Sequence, residues 1–144
     1  FIEEYDNKDL YHVYKKYFEL VLKAVNTGLF NIIGHIDLIK VFNYRINDDI
    51  VLKLIDPVLN AMKKNNIVME INTNGLNKPV KEIYPSTDII KVAYDKKIAI
   101  TMGSDAHNPS RVGENLNKYT KIIKDIGYRR IATFNNGKIE MKYI

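Results

Sequence analysis

Cysteine is absent from the 144 residues. Without thiols the chain can carry neither a disulfide framework nor a zinc ribbon, it has no thiol nucleophile, and it suits a reducing compartment. No apolar run approaches the roughly 20 residues that cross a bilayer, so no membrane partner is expected. The opening stretch FIEEYDNKDLYHVYKK does not read as a signal peptide, and the expected location is cytoplasmic. Basic blocks are missing as well. The 22 Lys and Arg against 17 Asp and Glu leave a net charge of +5, but the lysines are scattered over every predicted helix. That is the pattern of a solvated surface, and no nucleic-acid partner is expected. Nor is there an initiating Met; the abrupt start at Phe1 reads as that of a fragment or cleavage product. What is present suffices for one domain that buries a real core without staples.

Chemistry concentrates in two places. In AITMGSDAHNPSRVGE (99–114) a short apolar run ends at Gly103, after which Ser104, Asp105 and His107 crowd into four residues. Asp105 and His107 can converge on one cation, and a carboxylate beside an imidazole suits zinc, manganese or iron better than calcium. In FNIIGHIDLIK (30–40) another apolar run ends at Gly34, followed by His35 and Asp37.

Along the chain, apolar residues at helical spacing predict a helix over 9–25 closed by Gly28, a second over 48–65, a third opened by Ser86, and a fourth ending at Gly127. Pro57 predicts a kink, or two short helices meeting near Asp56. Ser110 or Asn108 is expected to cap the fourth helix. Strands are expected at 29–34, 67–72, 98–102 and 130–134. The apolar run IVMEIN suits a parallel strand covered on both faces, and Asn136-Gly137 predicts a hairpin into 138–142. Strict alternation of four strands with helices means parallel strands, either doubly wound or part of a barrel. In both, ligands gather beyond the carboxyl ends of the strands, where His35, Asp37, Asn72, Asp105 and His107 all fall.

Together GHIDLIK, EINTNGLNKPVKEIYPS and GSDAHNPSRVGENL resemble the PHP (polymerase and histidinol phosphatase) family, and more narrowly its histidinol-phosphatase branch. The resemblance runs from about Tyr11 to Leu116. It implies an α/β fold, the C-terminal part of a distorted (β/α)7 barrel, with four parallel strands alternating with helices plus a C-terminal hairpin. Residues 1–144 would then be a single partial PHP domain lacking the N-terminal strands. The family's opening His-x-His, a further His and a Glu would all lie ahead of this region. The resemblance implies hydrolysis of L-histidinol phosphate to L-histidinol and phosphate in histidine biosynthesis, with two or three divalent metals (zinc, manganese or iron) in the complete enzyme. The alternatives are an inactive PHP fragment that self-associates through open barrel edges, or a phosphoesterase acting on nucleotides or nucleic-acid ends.

The resemblance makes His35, Asp105 and His107 the metal ligands and catalytic residues. Three ligands from two strands cannot build a three-metal cluster, so the fragment alone is expected to be inactive. Where the branch usually shows Gly-Leu-Arg-Lys-Pro this chain has Asn77, which cannot replace a bidentate arginine; phosphate contact would fall to Lys78 or Arg111. Asp37 is expected to orient a ligand imidazole or cap the next segment. Glu70, a lone carboxylate in an apolar strand, needs a partner, either as an acceptor inside the barrel supporting the site or paired to a lysine. His12 is expected at the surface or in the core. Tyr84 and Ser86 are expected to serve as packing and as an N-cap.

Overall fold

The computed structural model describes residues 9–144; residues 1–8, the first half of the stretch read above as no signal peptide, lie outside them. The first helix, α1 (Leu10–Asn26), begins where Asp9 accepts the Tyr11 N–H at 2.9 Å. It ends before Gly28, whose φ of +70° takes the left-handed turn. Tyr14, Phe18 and Val25 form its buried stripe, laid against α2 (Asp48–Lys64). His12 lies on the outer face, 2.9 Å from Asp9.

Helix α2 is capped by Asn47, with Asp48 and Asp49 in the first turn and Lys63 and Lys64 in the last, as the helix dipole favours. It runs through Pro57 as one element, so of the two alternatives, a kink or two short helices meeting near Asp56, the second is not realised. The reason is which face loses the bond. Pro57 and Lys53, whose carbonyl would otherwise accept, are both exposed, so water replaces the missing partner. On the opposite face Ile55, Val58, Leu59 and Met62 are buried and hold the helix to the core.

The strands β1 (Ile32–Ile33), β2 (Val68–Asn72) and β3 (Ile100–Gly103) pair in parallel in the order β1-β2-β3. Ile33 stands opposite Met69, Met69 opposite Ile100, and Asn72 opposite Gly103. This register brings Gly34, Asn72 and Gly103 to the same carboxyl edge. The middle strand is buried on both faces except at Glu70, as its continuous apolar run implied. Helix α3 (Thr87–Asp95) follows Ser86, and α4 (Leu116–Ile126) ends at Gly127. Met69, Ile71, Ile89, Ile90, Ile100 and Leu59 join one buried cluster, each contributing about 1.5–3 kcal/mol by leaving water.

Two expectations change. The fourth strand, β4 (Arg130–Asn135), lies alongside β3 but is hydrogen-bonded only to β5 (Lys138–Tyr143), antiparallel, so the parallel sheet has three strands among the described residues rather than four. The Asn136-Gly137 turn, with φ of +49° and +75°, matches the twist of a two-residue hairpin and fixes that local pairing. Asn108 caps a short 3-10 turn, Pro109–Arg111, instead of the fourth helix, which starts after Asn115 at φ +63°.

Candidate active site

The carboxyl ends of β1 and β3 and the turn Thr73–Asn77 after β2 surround a cavity of about 320 Å³. His35, Asn74, Lys78, Tyr84, Asp105 and His107 line it, with Tyr17, Leu38 and Phe42 on an apolar wall. The three residues expected as metal ligands therefore share one hollow on one rim of the sheet. A larger hollow of about 480 Å³ lies at the amino end of β3, between Asp95 to Ala99 and Gly127 to Arg130. It holds none of the candidate residues.

Glu70 explains both glycines that end the apolar runs. Its carboxylate sits between the ends of β1 and β3. A Cβ on Gly34 would lie 3.1 Å from Oε2, and one on Gly103 would lie 2.6 Å from Oε1. The same Oε2 accepts the His35 backbone N–H and the Asn72 amide, each at 3.1 Å. Glu70 thus has partners, as burial requires, but neither is a lysine. It holds the main chain of His35, which is at φ +29°, and so sets where the imidazole begins.

Asp105 is itself left-handed, at φ +47°, a conformation that aspartate tolerates better than most side chains. Its backbone carbonyl accepts from His107 Nδ1 at 2.9 Å. That bond selects the tautomer protonated at Nδ1 and leaves the Nε2 lone pair as the ligating face. His107 is largely exposed, its side chain at 77%. Asp105 Oδ2 accepts from Asn74 Nδ2 at 3.2 Å.

Arg111 does not line the cavity. Its Nη2 donates to Asn74 Oδ1 and its Nε to Glu114 Oε2, both at 2.9 Å. Asn77, in the place of the family's arginine, also turns away: its amide donates to Glu114 Oε2 at 3.1 Å. The Arg111 guanidinium holds the Glu114 carboxyl below the usual glutamate range, with Asn77 adding to the effect. Lys78 lines the cavity, and its ammonium makes no ion pair among the described residues.

Asp37 is corrected more sharply. It does not reach the His35 ring. It is buried, ion-paired to Lys40 Nζ at 2.8 Å, and accepts the Ser86 N–H at 2.9 Å. The 3-10 turn Leu38–Lys40 directly after it supplies that lysine from three residues away. Burial nonetheless pushes its carboxyl above the ordinary aspartate range. Neither expected role is realised: the turn Leu38–Lys40 takes no side-chain cap bond from Asp37, and the carboxylate instead holds the start of α3 through the Ser86 N–H. Ser86 opens α3 without a side-chain cap of its own.

Two residues of the site were not singled out in the sequence as functional. Asn74 is buried and has no local signature beyond lying in a polar turn. Tyr84, read as packing, is buried with its ring edge-on to His35 at 6.4 Å between centroids. Burial, with Asp37 and Asp105 nearby, raises its phenol to about 12. Nothing about a tyrosine before a proline marks either property.

The donor set suits a divalent cation in kind, two imidazoles and a carboxylate. Among the described residues, however, no three His, Asp or Glu side chains stand close enough together to hold one ion. The rim therefore offers ligands without closing a coordination shell.

Residues 1–74 match the PHP domain model. The chain is 37% identical over 140 residues to a probable histidinol-phosphatase of Deinococcus radiodurans, covering 97% of this chain and 52% of that protein. It is 33% identical over 110 residues to the histidinol-phosphatase of Bacillus subtilis, covering 70% and 41%. The crystal structure of histidinol phosphate phosphatase from Lactococcus lactis, complexed with zinc, L-histidinol and phosphate, superposes with a TM-score of 0.79 at 25% identity, over 94% of this chain and 54% of that one. The chain thus spans about half the length of the relatives it matches. With the family model covering half of the sequence and the rim residues of its motifs gathered on one cavity, the chain belongs to the PHP domain family.

Proposed function

We propose that this chain supplies one side of the active site of a histidinol-phosphatase, and that residues 1–144 are part of one PHP barrel. The observation that carries this reading is the common cavity of His35, Lys78, Asp105 and His107 at the carboxyl ends of the parallel strands. His35, Asp105 and His107 would contribute ligands to divalent metal, two or three ions in the complete enzyme. Zinc in the Lactococcus lactis neighbour supports that class of ion, and manganese or iron fit the same donors. When bound, such ions polarise a phosphoryl oxygen and acidify a water.

The chain's own groups then have distinct tasks. Lys78 meets the phosphate as a point charge, a weaker recognition than a bidentate arginine gives. Glu70 fixes the backbone at His35. Water is the nucleophile and the substrate's P–O bond breaks, so L-histidinol phosphate and water become L-histidinol and phosphate without a covalent protein intermediate.

The test uses a protein of the relatives' full length that carries this sequence. Phosphate release from L-histidinol phosphate should exceed release from a nucleoside monophosphate. Asp105→Ala should lower kcat by at least the roughly tenfold to hundredfold that even the outer partners of metal ligands are worth. Turnover unchanged in that variant would remove Asp105 from the site. Preference for the nucleotide would instead support the nucleotide-directed alternative.

A second reading concerns the chain as it stands. Among the described residues the open donor set and the edge of β1 left unpaired, where Leu29, Phe30 and Ile32 are exposed, favour an inactive, self-associating fragment that binds at most one metal ion weakly.

A further inference from the structure

We propose that Asn74 is a positioning residue for Asp105, and that Arg111 acts on the site only through Asn74. The inference rests on the reading of Asp105 as a metal ligand. Asn74 is buried, 3% exposed, and both ends of its amide are used. Oδ1 accepts from Arg111 Nη2 at 2.9 Å and Nδ2 donates to Asp105 Oδ2 at 3.2 Å. A guanidinium can only donate, so the amide has one orientation: its oxygen must face Arg111 and its NH2 must face the carboxylate. Asp105 Oδ2 is thereby held, and Oδ1 has no hydrogen bond among the described residues.

The rest of the chain is built to keep that amide in place. The Asn74 backbone N–H donates to Asn72 Oδ1 at 2.9 Å. Arg111 is fixed by Glu114 Oε2. Glu114 is tied back to the turn after β2 twice, by Asn77 Nδ2 at 3.1 Å and by the Thr73 hydroxyl on its carbonyl at 2.7 Å. Two loops from neighbouring strands are laced together, and the free end of the lacing is one carboxylate oxygen. Asp105 needs such support, since its side chain is partly exposed and its backbone left-handed.

The test is a double-mutant cycle read by zinc affinity. Zn²⁺ is titrated into a protein of the relatives' full length that carries this sequence and into its Asn74→Ala, Arg111→Ala, Arg111→Lys, double Asn74→Ala/Arg111→Ala and Asp105→Ala variants, in competition with a chromophoric chelator. Thermal unfolding of each metal-free variant checks that it folds. Asn74→Ala and Arg111→Ala should each weaken Zn²⁺ binding by roughly tenfold to hundredfold. The double variant should be no weaker than Asn74→Ala alone, because a group that acts through another loses its effect when the other is gone. Arg111→Lys keeps the charge but not the fork that spans Asn74 and Glu114, and should lose as much as Arg111→Ala. Additive losses, or a Kd unchanged in Asn74→Ala, overturn the inference while leaving the metal site standing. No Zn²⁺ binding by the unaltered full-length protein, or a Zn²⁺ affinity unchanged in Asp105→Ala, overturns the metal reading and this inference with it.

Discussion

Glu114 does not line the cavity, and neither does Arg111, the partner whose contact its ionisation reports. Arg111 holds its carboxyl below the ordinary glutamate range, so the folded state binds the proton more weakly than the unfolded chain does. The contribution to stability is then present above the ordinary glutamate pKa and is lost as pH falls through the lower, folded value. A carboxyl-carbon NMR titration should place the Glu114 midpoint below that of an exposed glutamate, and Arg111→Ala should move it back up. An unmoved midpoint would mean that the Arg111–Glu114 contact at 2.9 Å does not persist in solution. At this scale the sequence marked His35, Asp105 and His107 correctly as neighbours of one cavity, because each follows a strand-ending glycine. It could not place Arg111 and Asp37, which an equally local reading put near phosphate and near an imidazole. Both found partners nearer to hand, Glu114 and Lys40, each three residues away.

Helix α2 shows how a local rule yields to packing. Proline inside a helix costs roughly 3 kcal/mol relative to alanine, which is why Pro57 predicts a kink or two short helices. The apolar face formed by Ile55, Val58, Leu59 and Met62 offsets that cost. Pro57→Ala should therefore stabilise the protein, by up to about 3 kcal/mol less what proline saves in unfolded-chain entropy. Urea unfolding would show a higher midpoint at unchanged slope. A lower midpoint would mean that the ring makes contacts the lost hydrogen bond does not outweigh. The hairpin teaches the complementary lesson. Asn136-Gly137 was legible because a type of turn is encoded in two residues, whereas the fourth strand's absence from the parallel ladder was not, since strand alternation says nothing about which edge a strand joins.

For the whole molecule, the feature with most consequence is the outer edge of β1. Among the described residues β1 pairs only with β2, through Ile32 and Ile33, and Leu29 and Phe30 beside them are 79% and 46% exposed. An apolar, unpaired edge is a template for association. Sedimentation velocity should show concentration-dependent self-association, reduced in Phe30→Lys, which places a charge on that edge. A monomer at all concentrations would count against the open-edge reading. By itself the sequence determined the alternation of helices and strands, the buried middle strand and the hairpin, because these follow from apolar spacing and turn chemistry within a few residues. It also placed the candidate ligands at strand ends. Only the tertiary structure decided what those residues touch. His35 meets Glu70 across 35 positions, Asn74 meets Asp105 across 31 and Arg111 across 37, and Ser86 meets Asp37 across 49. A donor's choice of acceptor at such separations is set by strand register and loop closure, which no local pattern of residues records.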